Sequence, residues 1–125
     1  MTTVLLAEDD AVIRTLMARA LEKRGHVVRV AEDGLQAVTL FREHMNDTEV
    51  VVLDVRMPNL EGPAALGQMR ALRPGLPAVL LSGFTRDANE VAELLGDGVR
   101  FVPKPVRASA LADIIADLLA RARSR

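Results

Sequence analysis

Val50-Val51-Val52-Leu53-Asp54 is the stretch that decides the fold. Four apolar residues in a row, three of them β-branched, form a strand covered on both faces, as in the middle of a parallel sheet. An ionised carboxylate follows directly, and burying one without compensation is costly. Then comes Val55-Arg56-Met57-Pro58-Asn59-Leu60-Glu61-Gly62-Pro63, a loop punctuated by proline and glycine. Asp54 therefore stands at the carboxyl end of a central strand, where open α/β sheets form their ligand crevice. Taken by itself, Asp54 fits a turn or a helix cap equally well. The rest of the chain separates these readings.

Working outward, the same strand–helix alternation extends in both directions. Val4–Ala7 reads as a first strand, closed by Glu8-Asp9-Asp10. Ile13, Leu16, Met17, Ala20 and Leu21 recur at helical spacing and predict an amphipathic helix buried along that stripe. Asp10 is its N-cap, and Gly25 its left-handed stop. Val27–Ala31 is a second strand, and Asp33-Gly34 leads into a helix carrying Ala37, Leu40 and Phe41. After the central strand, Pro63 suits the first turn of a helix with Leu66, Met69 and Leu72, ended by Arg73-Pro74-Gly75. Ala78–Leu81 is a fourth strand, leaving through Ser82-Gly83. Asp87 and Glu90 resemble a capping box that opens a helix with Val91, Leu94 and Leu95, broken by Gly96-Asp97-Gly98. Val99–Val102 is a fifth strand, followed by Pro103-Lys104-Pro105. The last helix shows Leu111, Ile114, Ile115, Leu118 and Leu119, and its basic end, Arg121 to Arg125, is expected to fray.

Five strands alternating with five helices predict an α/β, doubly wound (βα)5 flavodoxin-like fold. With no glycine-rich dinucleotide fingerprint, strand order 2-1-3-4-5 is expected. That order puts its switch point between strands 1 and 3, whose carboxyl ends carry Glu8-Asp9 and Asp54.

Bulk composition narrows the function. The 125 residues suit one domain, half hydrophobic and 26% charged. A net charge of −1 argues against a nucleic-acid footprint. The absence of cysteine rules out disulfides and thiolate metal sites. No stretch has the form of a signal peptide or a membrane span, so the expected location is the cytoplasm, with no membrane partner. His26 and His44 read as solvated surface residues.

The strand ends form a chemically consistent set. Glu8, Asp9 and Asp54 repel one another unless positive charge is supplied. Lys104 offers one unit, and a divalent cation bound by hard oxygen ligands, Mg²⁺ or Mn²⁺, offers two. Ser82 adds a hydroxyl.

These residues carry a family resemblance. Leu6-Ala7-Glu8-Asp9-Asp10, Val52-Leu53-Asp54-Val55-Arg56-Met57-Pro58 with Gly62, Leu80-Leu81-Ser82-Gly83 and Phe101-Val102-Pro103-Lys104-Pro105 resemble, in order and spacing, the receiver domain of two-component response regulators. The likeness is to the chemotaxis-regulator type and spans essentially the whole chain, so that 1–125 reads as one receiver. It implies that Asp54 accepts a phosphoryl group from a phosphohistidine on a sensor histidine kinase or phosphotransfer protein. It implies Mg²⁺, for which Mn²⁺ may substitute, held by Asp9, Asp54, the backbone carbonyl of Arg56 and, through water, Glu8. Ser82 would hydrogen-bond the phosphoryl group and Lys104 would pair with it. Phe101 would be the switch aromatic, and the Lys104–Pro105 peptide would be cis. Such a protein is not an enzyme in the usual sense and catalyses only its own phosphorylation and dephosphorylation.

Further expectations follow from the same likeness. Phosphorylation would reshape the face built from the helix opened by Asp87, the fifth strand and the last helix, for a downstream protein that the sequence does not name. An acidic residue precedes the switch aromatic in regulators that dimerise through this face; Arg100 stands there instead, so that dimer is not expected, and the unphosphorylated chain is expected to be a monomer. Arg56 and Phe84 would rim the path of water to the acyl phosphate and slow its hydrolysis. Leu81-Ser82-Gly83-Phe84 resembles receivers found with hybrid kinases. The chain reads either as a stand-alone regulator or as a receiver taken from something longer. Among rivals, a haloacid-dehalogenase-type phosphatase needs a second Asp where Arg56 stands, and a flavin-binding domain needs a hydroxyl-rich loop where Glu8-Asp9-Asp10 stands. A phosphorylation-independent interaction module on the same fold is the alternative.

Overall fold

The structure is a computed structural model that describes residues 2–83 and 98–123. Its elements are β1 (Thr3–Ala7), α1 (Ala11–Lys23), β2 (Val27–Ala31), α2 (Gly34–Glu43), β3 (Val50–Asp54), α3 (Gly62–Leu72), β4 (Ala78–Ser82), β5 (Val99–Pro103) and α4 (Ala108–Arg123). The helix expected between β4 and β5, with Asp87, Glu90, Val91, Leu94 and Leu95, lies outside the described residues, as does Phe84.

All five strands are parallel in order β2-β1-β3-β4-β5, as expected. Alternation along each strand divides the core into two layers. Leu5, Ala7, Val51, Leu53, Ala78 and Leu80 face α2 and α3. Val4, Leu6, Val50, Val52, Val79 and Leu81 face α1 and α4. β3 is buried throughout because it is covered on both faces, which is why its apolar run is continuous rather than alternating.

Register brings the strand ends into step. Ala7 lies opposite Leu53, and Asp54 opposite Leu81. Just past the strands, Glu8 N–H donates to the Ala31 carbonyl (3.1 Å), Val55 N–H to Leu81 (2.8 Å) and Lys104 N–H to Ser82 (2.8 Å). The residues that leave the sheet at this edge are thus fixed by the same ladder as the strands.

The expected caps form. Asp10 accepts the backbone N–H groups of Val12 (2.9 Å) and Ile13 (3.1 Å), and Gly25 sits at φ +90° past the end of α1. Three readings need correction. In α1 the inward stripe is Arg14, Met17, Ala18 and Leu21, whereas Ile13 and Leu16 are exposed. Both stripes have helical spacing; small Ala18 lets α1 lie close to the sheet and turns Leu16 outward. In α3, Leu72 is exposed and Ala65 is buried in its stead. The basic end of α4 remains helical through Arg123, whose guanidinium meets Glu49 at 3.1 Å.

His26 also departs from expectation. It is half-buried between α1 and β2, and its Nδ1 is shut away from solvent without a hydrogen-bond partner. Burial lowers its pKa below the ordinary 6.5; Glu49 opposes this shift and Arg24 reinforces it. The folded protein therefore holds the neutral imidazole in a window where the unfolded chain already binds a proton, so this contribution to stability is lost as pH falls through 6.5. Thermal unfolding of wild type and His26→Gln across pH 7.5 to 5.5 checks this. The stability difference in favour of wild type should shrink as pH falls, the acidic groups common to both proteins cancelling in the subtraction.

Candidate functional site

The carboxyl ends of β1, β3, β4 and β5 meet at one cleft. Carboxylate oxygens of Glu8, Asp9 and Asp54 all lie within 4.8 Å of one another. Glu8 and Asp54 are buried, whereas Asp9 is open to solvent. Lys104 reaches across from the β5 end, its Nζ donating to Asp54 Oδ2 (2.5 Å) and Glu8 Oε1 (3.3 Å). The Lys104–Pro105 peptide is cis, as expected. Buried Ser82 and exposed Arg56, with Asp54, Val55, Gly83 and Lys104, line a cleft of about 270 Å³ above the cluster.

The electrostatics of this cluster call for a cation. Burial, then the hydrogen bond and charge of Asp54, push the Glu8 carboxyl up to about 8, against the opposing pull of Lys104. Burial by itself would lower the Lys104 pKa, but Asp54 and Glu8 outweigh it and hold the ammonium above its ordinary value. One ammonium group faces three carboxyl groups, and Glu8 Oε2 is buried without a hydrogen-bond partner. An all-oxygen donor set of this kind, with Asp9 on the open side, fits Mg²⁺ or Mn²⁺.

The chain matches the family model for the response regulator receiver domain over residues 4–116. It is a receiver domain of that family. Among curated proteins, it is 35% identical over 118 residues to the sensor kinase CckA of Brucella abortus, covering 94% of this chain and 12% of that protein. It is 32% identical over 121 residues to the response regulator MprA of a Mycobacterium species (strain KMS), covering 97% of this chain and 49% of that one. The chain thus spans half or less of these relatives. Among solved structures, a receiver domain protein from Clostridium thermocellum superposes with a TM-score of 0.88 at 25% identity, covering 98% of each chain. The receiver domain of the hybrid histidine kinase CckA gives 0.80 at 30% identity, over 94% of this chain and 98% of that one. The family places the chain in two-component signalling as a phosphoacceptor module rather than a conventional enzyme. No described helix of the receiver is long and apolar enough to cross a membrane.

Two features of the receiver escape sequence reasoning. The first is a groove of about 500 Å³ lined by Ile13, Leu16, Met17, Lys104, Pro105 and Val106, beside the acidic cluster. Its apolar wall consists partly of the α1 side chains that periodicity assigns to the core. Spacing held no signal for this, because the stripe with Arg14 and the stripe with Ile13 and Leu16 share Met17 and Leu21, and packing selects the first.

The second is the packing of Gly62. A Cβ there would collide with the carbonyl oxygen of Asp54 and come within 3.2 Å of Val55 Cα. Gly62 N–H also closes the loop onto the Val55 carbonyl at 2.9 Å. The residue after β3 is thus gripped by the first turn of α3, which only glycine permits. Gly67, in the same helix, has no atom within 4 Å of its would-be Cβ. Opposite effects are expected from one chemical change. Gly62→Ala should destabilise the receiver by about 1–3 kcal/mol through overpacking, and Gly67→Ala should stabilise it by roughly 0.5–1 kcal/mol through helix propensity. Urea unfolding of the two variants against wild type measures both.

Proposed function

We propose that residues 1–125 form one receiver in which Asp54 takes the phosphoryl group from a phosphohistidine of a sensor histidine kinase or phosphotransfer protein. The observation that carries this reading is the position of Lys104 Nζ, 2.5 Å from Asp54 and 3.3 Å from Glu8, in a cleft open to solvent at Asp9. Asp54 Oδ attacks phosphorus, the P–N bond of the donor breaks, and the imidazole nitrogen leaves with the bonding pair. Asp9, Asp54, the Arg56 backbone carbonyl and, through water, Glu8 would hold Mg²⁺. Bound there, Mg²⁺ supplies positive charge for the equatorial oxygens of the transferring group. Lys104 pairs with the same oxygens, letting go of Glu8 as it does so. Ser82 donates its hydroxyl to the product acyl phosphate.

The donor's imidazole must enter over Lys104, and the apolar groove of Ile13, Leu16 and Val106 adjoins that point. A phosphodonor helix with an apolar face suits this wall. Output follows from β4 and β5. Leu80 pairs in register with Phe101, a partly buried ring packed against the α2–α3 side of the core. When Ser82 moves to the phosphoryl group, the Phe101 ring shifts with it and alters the β5–α4 face seen by a downstream protein. Phe101 has no hydroxyl, so packing alone drives this movement. Arg100 on that face is engaged by Asp117 of the same chain at 2.8 Å, which supports a monomer before phosphorylation.

Incubation with acetyl phosphate and Mg²⁺, followed by intact-mass analysis, tests the reading. One phosphoryl mass should appear on wild type and none on Asp54→Asn, and a chelator should abolish it. Labelling of Asp54→Asn to the wild-type extent would refute the assignment.

Arg56 at the cleft mouth offers donors but no acceptor to orient water, and its charge opposes a cation below it. Arg56→Asn should therefore bind Mg²⁺ more tightly and lose its phosphoryl group faster. Phe84→Glu should also hasten decay if that ring shields phosphorus. Following phosphoryl decay over time in the three proteins checks both; equal rates would dismiss the rim as a gate.

A further inference from the structure

We infer that the β2–α2 turn, Glu32-Asp33-Gly34, is a positioning element that braces the metal-bearing loop after β3, with Asp33 acting through Asn59. This rests on the reading of Asp9, Asp54 and the Arg56 carbonyl as Mg²⁺ ligands. The turn carries none of those ligands, yet it touches the segment after β3, and Ala31 just before it bonds Glu8 after β1.

On the β1 side, Glu8 is held by its main chain at two points. Its N–H donates to the Ala31 carbonyl at 3.1 Å, and its carbonyl accepts from Arg14 Nη1 at 2.7 Å. The other Arg14 nitrogen leans toward Glu32 Oε1 at 3.8 Å. Arg14 is largely buried, so its grip on Glu8 is the firmer of the two contacts; the exposed Glu32 pairing is a weak one.

On the β3 side, the loop carrying Arg56 is closed at its base by Gly62 and Val55 and held at its tip by the turn. Asn59 Nδ2 donates to Asp33 Oδ2 at 2.8 Å, while Asp33 Oδ1 accepts the Gln36 N–H at 2.8 Å and caps α2. Asn59 adopts φ +70°, a left-handed conformation that asparagine tolerates. Gly34 lies so close to the Leu60 carbonyl that a Cβ would collide with it. Backbone contact at Gly34 and a charged hydrogen bond at Asp33 thus fix the loop's outer end. The Gln36 N–H and the Asn59 amide also hold the Asp33 carboxyl below its ordinary pKa, so it is the anion that makes this bond.

A pair bracing a metal-bearing loop from outside affects cation affinity more than fold stability. Electrostatics makes the test discriminating. Asn59→Asp adds negative charge near a cation site, which by itself favours Mg²⁺, but it sets two carboxylates against each other at the brace. Asp33→Asn combined with Asn59→Asp restores the wild-type charge and the hydrogen bond with donor and acceptor exchanged. Asn59→Gly removes the amide while permitting the same backbone conformation.

Mg²⁺ affinity is measured by isothermal titration calorimetry on wild type, Asn59→Gly, Asn59→Asp and the double variant, with unfolding temperature recorded metal-free. Asn59→Gly and Asn59→Asp should each weaken Mg²⁺ by roughly tenfold, the low end of what losing an outer partner of a ligand costs, and the double variant should return to within about twofold of wild type. Affinity unchanged in the single variants, or a double variant as weak as Asn59→Asp, overturns the brace. Wild type that binds no Mg²⁺ at all would instead refute the metal-site reading, and the brace with it.

Discussion

A lysine ammonium wedged between two buried carboxyl groups is the interaction on which the site depends. Without Lys104, the Glu8 and Asp54 carboxyl groups would face each other at the end of the sheet with only Asp9 nearby. Lys104 makes their proximity tolerable, but one positive charge does not balance three acids. Burial first, and the neighbouring Asp54 second, hold the Glu8 pKa high, and Glu8 Oε2 is left without a hydrogen-bond partner. The cluster suits something that arrives with positive charge, and under the proposed function a phosphoryl group that follows recruits the lysine.

The fold exists to hold that cluster still. Parallel register brings four strand ends to one edge, and the bonds immediately beyond them carry the order of the sheet into the loops. Gly62 locks the base of the loop after β3, and Gly34 and Asp33 hold its tip. At Gly62 and Gly34 the contact is with backbone, and any larger side chain would push Asp54 or the loop after it out of place. The groove beside Lys104 shows the converse. There α1 leaves Ile13 and Leu16 outside the core, and the apolar surface adjoins the cleft.

Much of this was legible in the sequence. The five strands were readable because they are short, apolar and bounded by clear breakers, and the order followed from five βα units without a glycine-rich dinucleotide fingerprint. Asp54, Glu8, Asp9 and Lys104 could be placed together because each lies at the carboxyl end of a strand or within two residues past it, and strand ends are set by topology. The face that α1 buries was not legible, since two overlapping stripes share Met17 and Leu21 and only packing chooses between them. His26 looked solvated because it stands at the margin between a helix and a strand; its burial comes from the junction of α1 and β2. The contacts of Gly34 and Asn59 join residues far apart in the chain, and no local pattern announces such a pairing.

Under the proposed function the cleft assembles a cation and a phosphoryl group on Asp54. A crystal structure of the receiver grown with Mg²⁺ and beryllium trifluoride, a non-covalent mimic of the phosphoryl group, tests it most directly. Beryllium is expected on Asp54, Mg²⁺ on Asp9, Asp54 and the Arg56 carbonyl, and Lys104 moved from Glu8 to a fluoride that also meets Ser82. An unmodified Asp54 with Lys104 still bridging it to Glu8, at saturating Mg²⁺ and fluoride, would contradict the account.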